Sequence, residues 1–127
     1  MKYLIRHIVL LCGLLLAGCM KWDYGDTVED FNATGAGLFI TNEGNFQYGN
    51  ASLSYYDPET KQVQNEIFFR ANGMKLGDVA QSMIIHDNKG WVVVNNSHVI
   101  FAIDLNTFKE VGRIENLTSP RYIHFLS

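Results

Sequence analysis

Cysteine is almost missing from this sequence of 127 residues. Its two copies, Cys12 and Cys19, both lie near the N-terminus. No thiol occurs after Cys19, which excludes a disulfide framework and a thiolate metal site from the rest of the chain. Whatever structure follows Cys19 therefore forms without covalent cross-links.

An excess of positive charge is also lacking. The chain has 10 Lys and Arg against 13 Asp and Glu, which gives a net charge of −3. This balance provides no basic footprint, so no nucleic-acid partner is expected. A hydrophobic fraction of 47% with 18% charged residues suits one globular domain, and 13% aromatic residues favours a β protein or a surface that binds ligands through flat rings.

Catalytic signatures are missing as well. The sequence contains no Gly-x-Ser-x-Gly, no His-Glu-x-x-His, no phosphate-binding loop and no neighbouring Ser, His and Asp set. His86, His98 and His124 lack the spacing of metal ligands, so they are expected to face solvent or a sheet. The sequence therefore predicts no catalytic residue, no metal site and no cofactor in this chain.

Residues 1–18 have the organisation of a targeting segment. Lys2 and Arg6 form a positive start, and residues 8–16 form an apolar core too short to span a bilayer. The tetrad LAGC, ending at Cys19, resembles a bacterial lipobox, which predicts a lipoprotein signal peptide and lipidation of Cys19. Each buried CH₂ of a lipid contributes about 0.8 kcal/mol to membrane binding, and stable anchoring takes more than one acyl chain. A cleaved secretory peptide or a signal anchor is the alternative.

Residues 19–36 are predicted to be an acidic tether. They are polar, contain scattered glycine and show no sustained periodicity. An acidic stretch soon after the lipid cysteine resembles the export signal of Bacteroidetes lipoproteins. That resemblance implies an outer-membrane protein exposed on the cell surface, with a periplasmic orientation as the alternative.

From residue 37 the pattern changes to short β-type runs separated by turns. Residues 51–57 (ASLSYYD) alternate with the period of a strand. Asp57 and Pro58 begin a turn, because Asp accepts hydrogen bonds from the backbone and Pro fixes φ. Residues 62–69 are predicted to form the next strand.

The same pattern then occurs a second time. Residues 90–95 match residues 37–42, and residues 99–104 match residues 52–57. A separation of 47 relates three pairs of identical residues: Asp57 and Asp104, Thr60 and Thr107, and Ile67 and Ile114. A period in the forties with three or four short strands per unit is typical of a propeller blade. A β-sandwich has no reason to repeat a turn in register.

The predicted fold for residues 37–127 is all-β, a partial β-propeller of about two blades and the start of a third. The complete blade consists of residues 79–86, 90–95, 98–104 and 109–114, and residues 120–125 open the next one. Open blades expose unpaired strand edges, and a repeat array needs about three units to bury its faces. We therefore expect the chain to be the N-terminal fragment of a longer protein.

Four segments carry a family resemblance. They are LFITNEG at 38–44, LSYYD at 53–57, KLGDV at 75–79 and SPRYI at 119–123. In this order they resemble the YncE-type surface propeller lipoproteins of Bacteroidetes, relatives of the BtuG-type propellers that capture cobalamin. The resemblance implies a small-molecule nutrient such as a corrinoid as ligand and a TonB-dependent outer-membrane transporter as partner.

The predicted strand order places four loops on one face of the propeller. These are residues 43–50, 70–78, 95–97 and 115–119, while the opposite face has only tight turns. The 43–50 loop is predicted to be six residues longer than its counterpart in the second unit. Loops longer than closure requires usually carry function.

The candidate ligand contacts combine aromatic rings, which supply contact area, with polar side chains, which supply hydrogen bonds. They are Glu43, Asn45, Phe46, Tyr48, Asn96 and Arg121. Two structural alternatives stay open: Phe46 and Tyr48 cap the blade core, and Arg121 forms a structural contact. Lys75 and Asp78 are weaker candidates, because KLGDV could be a conformational motif that closes the ring.

Three classes of function follow from the sequence. The first is a non-enzymatic surface lipoprotein that binds a nutrient. The second is a propeller enzyme, a lactonase or a quinoprotein-like dehydrogenase, whose catalytic residues lie in blades outside this chain. The third is a structural or adhesive cell-surface protein.

Overall fold

The computed structural model describes residues 36–126, so the predicted signal peptide, Cys19 and nearly all of the tether lie outside the described residues. Within these described residues, seven strands and one short helix follow one another. In order they are β1 (Leu38–Asn42), β2 (Ser52–Asp57), β3 (Gln62–Gln64), α1 (Ile67–Asn72), β4 (Ala80–His86), β5 (Lys89–Val94), β6 (Val99–Asp104) and β7 (Glu110–Ile114).

The strands form two antiparallel sheets in which sequence neighbours pair. The first sheet has the order β1-β2-β3, and the second has the order β4-β5-β6-β7. The all-β prediction is confirmed, and two successive meander sheets are consistent with a partial propeller. The four-stranded order predicted for the second unit is the order observed.

The repeated Asp-x-x-Thr turn has the same structure in both units. Asp57 Oδ1 accepts the backbone N–H of Glu59 at 2.8 Å, and Asp104 Oδ1 accepts those of Asn106 and Thr107 at 2.9 and 2.8 Å. The N–H of Thr107 is the main cause that lowers the pKa of Asp104 below its ordinary value of 3.8. Since the folded-state pKa of Asp104 is depressed, the stability that these hydrogen bonds contribute is lost as the pH falls through that pKa.

The two units align one residue away from the predicted match. Leu38 pairs with Tyr56, and Gly90 pairs with Ile103, the residue 47 positions after Tyr56. Leu38, rather than Gly37, is therefore the structural equivalent of Gly90. The connection before β2 has nine residues (43–51) and that before β6 has four (95–98), so the first is five residues longer, and the predicted six is wrong.

The strand predicted at residues 62–69 is wrong beyond Gln64. At Glu66 the backbone turns to a φ of 58°, and α1 follows. The helix buries Ile67 and Phe68, the latter only 1% exposed, against the core. Burying these side chains between the sheets contributes more free energy than extending β3 along the edge of the first sheet would. The match of Ile67 with Ile114 is therefore coincidental, because Ile114 lies exposed on β7.

Asn72, the last residue of α1, attaches the helix to the second unit. Its Nδ2 donates to the carbonyl oxygens of Phe68 at 2.8 Å and Phe108 at 3.0 Å, and its Oδ1 accepts the N–H of Glu110 at 2.8 Å. One amide side chain thus satisfies a helix carbonyl and two backbone groups where the β6–β7 connection enters β7. A strand at this position would not bring Asn72 to these groups.

One apolar layer joins the two units. The rings of Phe39 and Tyr55 on the first sheet each lie 5.8 Å from the ring of Phe108, and the ring of Phe68 lies 5.0 Å from that of Phe101 on β6. The same buried cluster includes Ala51, Leu53, Leu76, Ala80, Val92, Val94, Val99 and Ile103. The sheets therefore pack face to face rather than folding independently.

The outer faces of the two sheets differ. On the first sheet, Leu38, Tyr56 and Val63 form one row across three strands, and Leu38 and Val63 are exposed. On the second sheet, the ring of Phe125 stacks on His86 at 3.9 Å and lies 5.4 Å from Trp91. The end of the described chain thus covers part of the outer face of the second sheet.

The strand predicted at residues 120–125 is not formed among the described residues. The carbonyl of Pro120 accepts Asn95 Nδ2 at 2.8 Å, and that of Arg121 accepts Ser82 Oγ at 2.7 Å. Side chains therefore bind these backbone groups. A strand requires a ladder partner, and the structure describes none beside this segment.

Candidate functional site

The four loops predicted to share one face do meet at one end of the two sheets. The backbone N–H of Gln47, from the 43–50 loop, donates to Asp78 Oδ2 at 2.8 Å, and Asn96 Nδ2 donates to the same atom at 2.5 Å. The N–H of Leu117 donates to the carbonyl of His98 at 3.1 Å. The opposite end has tight turns, including one at Asp87 and Asn88, whose φ values of 49° and 55° suit a two-residue hairpin.

Residues 45–48 form a turn, called here the aromatic turn. The N–H of Tyr48 donates to the carbonyl of Asn45 at 3.0 Å, and the N–H of Asn45 donates to Asn50 Oδ1 at 2.8 Å. Gln47, the third residue, has a φ of 69°. Both ends of the turn are therefore held by hydrogen bonds before any ligand is considered.

Gly44 permits the close approach on which the aromatic turn depends. Its φ is 74°, and a Cβ at this position would lie 2.5 Å from Asn50 Oδ1 and 2.8 Å from the Asn50 carbonyl carbon. Gly49, at the other side of the turn, has a φ of 59° but open space around a Cβ. The two glycines thus have a similar backbone conformation and different surroundings.

The rings of the aromatic turn face solvent. Phe46 is 63% exposed and Tyr48 is 75% exposed. The alternative that these rings fold back to cap the blade core is therefore wrong. Two large rings stand on a hydrogen-bonded turn and do not contribute to the buried layer beneath it.

Asp78 lies at the centre of the loop end and is only 8% exposed. Besides the two bonds to Oδ2, its backbone N–H donates to Ser97 Oγ at 2.9 Å. Oδ1 is buried and has no hydrogen-bond partner among the described residues. A buried carboxylate is costly unless it is hydrogen-bonded, so the donors from Gln47 and Asn96 are needed to hold it there.

The backbone around Asp78 connects both units. The carbonyl of Gly77 accepts the N–H of Ala51 at 3.0 Å, and that of Val79 accepts the N–H of Asn95 at 2.8 Å. Val79 has a φ of 63°, and a β-branched residue in this region is strained by about 1–3 kcal/mol. A Cβ on Gly77 would collide with Ser97 Oγ.

The remaining candidates are placed as follows. Glu43 and Asn45 are exposed on the 43–50 loop, and Asn96 is half-buried beside Asp78. Arg121 is exposed and is held through its backbone carbonyl by Ser82. The structure therefore brings Asn96 and the aromatic turn onto one carboxylate, whereas the hydrogen bond that holds Arg121 comes from Ser82 on β4.

Asn50, Gln47 and Ser97 carry bonds that the sequence reasoning missed. The segment KLGDV was a usable signal for Asp78, because an aspartate between a glycine and a strand commonly binds nearby backbone N–H groups. Within residues 36–126, no group of three or more His, Cys, Asp or Glu could hold a metal ion. In the same part of the chain, no helix has the length and apolar character needed to cross a bilayer.

The family model for a domain of unknown function, DUF5074, matches residues 36–126. The chain belongs to the DUF5074 family. The match covers both sheets and the loop end described above, so the DUF5074 domain and the described fold coincide. No curated protein matches the sequence.

Gly44→Ala is expected to destabilise the DUF5074 domain more than Gly49→Ala. Both substitutions place a Cβ at positive φ, which costs about 1 kcal/mol. Only Gly44→Ala also forces the backbone away from Asn50, which adds about 1–3 kcal/mol of overpacking. Urea unfolding of both variants measures the difference, and equal losses would show that the aromatic turn is not held as described.

Proposed function

We propose that this protein is a lipid-anchored outer-membrane protein, exposed on the cell surface, that binds a small-molecule nutrient at its loop end. A TonB-dependent transporter then receives the nutrient. The observation that supports binding is the aromatic turn: Phe46 and Tyr48 are presented to solvent on a backbone that hydrogen bonds already hold.

Exposed rings on a fixed turn suit a flat ligand with polar edges. Each ring offers a large apolar face, and the neighbouring side chains of Asn45, Gln47 and Asn96 supply both donors and acceptors. A held backbone loses little conformational entropy when a ligand binds, which favours affinity. A corrinoid, whose flat ring has an amide fringe, meets this description, and so does a glycan.

The lipid anchor and the surface location rest on the N-terminal sequence. The LAGC tetrad at Cys19 and the acidic stretch to residue 36 supply the anchor and the tether. The DUF5074 match begins at residue 36, where the tether is predicted to end. A tethered domain of this kind can reach a transporter in the same membrane.

The binding proposal predicts ligand-dependent stabilisation of the full-length protein. A ligand at 100 times its Kd adds about 2.7 kcal/mol to stability, so cobalamin, cobinamide or a member of a glycan panel should raise the melting temperature. The Phe46→Ala/Tyr48→Ala double variant should bind about five- to 150-fold more weakly, because each stacked aromatic contact contributes about 0.5–1.5 kcal/mol.

The matched control for the ring variant is Ile85→Ala. Ile85 is also an exposed apolar side chain, and it lies beside the tight hairpin at the opposite end of the second sheet. Its substitution should leave the affinity unchanged. An unmoved melting temperature with every compound contradicts binding of these classes, and turnover of a bound compound would favour the propeller-enzyme alternative.

The anchor proposal predicts that Cys19→Ser abolishes lipidation. Labelled palmitate should enter the wild-type protein and not the variant, and the variant should leave the membrane fraction, because its membrane affinity depends on the acyl chains. Protease digestion of intact cells tests the surface location. Retention of Cys19→Ser in the membrane fraction, or protection of the wild type from protease, would overturn the corresponding part.

A further inference from the structure

The two halves of the candidate site come from different units and meet on one carboxylate. We infer that Asp78 is a positioning residue for the ligand site, holding the aromatic turn and Asn96 in one arrangement before the ligand arrives. The inference rests on the proposed function, because it concerns the same site. It assigns Asp78 no contact with the ligand.

The geometry shows how one carboxylate orients the aromatic turn. Asp78 Oδ2 accepts the backbone N–H of Gln47, the residue between Phe46 and Tyr48. This N–H belongs to the Phe46–Gln47 peptide, so the bond fixes the Cα of Phe46 and the direction in which its ring leaves the turn. Tyr48 is held to the same turn through its own N–H, which donates to the carbonyl of Asn45. The partners are 31 residues apart in sequence, so local chain geometry does not supply this constraint.

The second donor ties the turn to the other unit. Asn96 Nδ2 donates to the same oxygen, and the N–H of Asn96 donates to the carbonyl of Asp78 at 3.2 Å. Hydrogen bonds to an ionised acceptor are roughly twice as strong as neutral ones. If the turn swung outward, a buried charge would lose one of its two donors, so the observed arrangement is favoured.

The surrounding backbone keeps Asp78 from following the turn. Both neighbours of Asp78 are held, since the carbonyl of Gly77 binds Ala51 and that of Val79 binds Asn95. Val79 retains a φ of 63° that its side chain disfavours, and such strain persists where the surroundings over-determine it. The carboxylate is thus a fixed point against which the aromatic turn is oriented.

The test combines amide exchange with binding in the full-length protein. In Asp78→Ala, the backbone N–H of Gln47 should exchange with solvent at least about tenfold faster than in the wild type, because its acceptor is removed. Asp78→Asn keeps the shape and one acceptor oxygen, so it should fall between them. This second variant keeps the test valid if Asp78→Ala fails to fold.

Ligand affinity should follow the same order, with at least about a tenfold loss in Asp78→Ala, because the site must then be ordered on binding. In the Phe46→Ala/Tyr48→Ala background, Asp78→Ala should cause a smaller further loss of affinity, because only Asn96 is then released. A full loss in that background would mean that Asp78 contacts the ligand itself, which overturns a positioning role.

The matched control is Asp57→Ala. Asp57 is 7% exposed, against 8% for Asp78, and its carboxylate holds a turn at the opposite end of the first sheet. Its substitution should lower stability and leave both Gln47 exchange and affinity unchanged. Wild-type exchange of Gln47 in a folded Asp78 variant overturns the inference. A wild type that binds none of the compounds overturns the proposed function, while Gln47 exchange still decides whether Asp78 orients the turn.

Discussion

The structure depends on the apolar layer shared by the two sheets. Neither sheet can bury both faces alone, and the first has only three strands. Phe39 and Tyr55 from the first unit and Phe101 and Phe108 from the second enclose this layer. Packing across it fixes the two sheets relative to each other, and only then do their loops come close enough to share hydrogen bonds.

The loop end follows from that packing. Because both units are meanders with the same strand direction, the β1–β2 and β5–β6 connections lie at the same end of the two sheets. Asp78, just before β4, lies between these connections. The buried carboxylate requires donors, and the two connections provide them. Rings that are free of any packing role are thereby displayed on a rigid support. The binding proposal rests on this division between a buried polar anchor and exposed apolar side chains.

Local signals in the sequence were sufficient for much of this fold. The alternation around Leu53, the Asp-x-x-Thr turns and the grouping of the four loops are all observed, since each depends on neighbouring residues or on strand order. Three features depend on distant partners, so two of them were missed from the sequence and the third, Asp78, was predicted only as a weaker candidate. The residue predicted to match Gly90 was wrong by one position, because the pairing register of β1 with β2 cannot be read from a loop of unknown length. The helix α1 forms because Phe68 is buried by the other unit. Asp78 acquires its hydrogen bond from Gln47, which is distant in sequence.

The most direct test of the shared layer is a double-mutant cycle between Phe68 and Phe101, measured by urea unfolding of the full-length protein. Their rings lie 5.0 Å apart, with one ring on each unit. Substituting each by Leu, singly and together, should give a coupling free energy of about 1 kcal/mol, as expected for an aromatic pair in contact. Strictly additive effects would mean that the two units do not share a core, and would contradict this account.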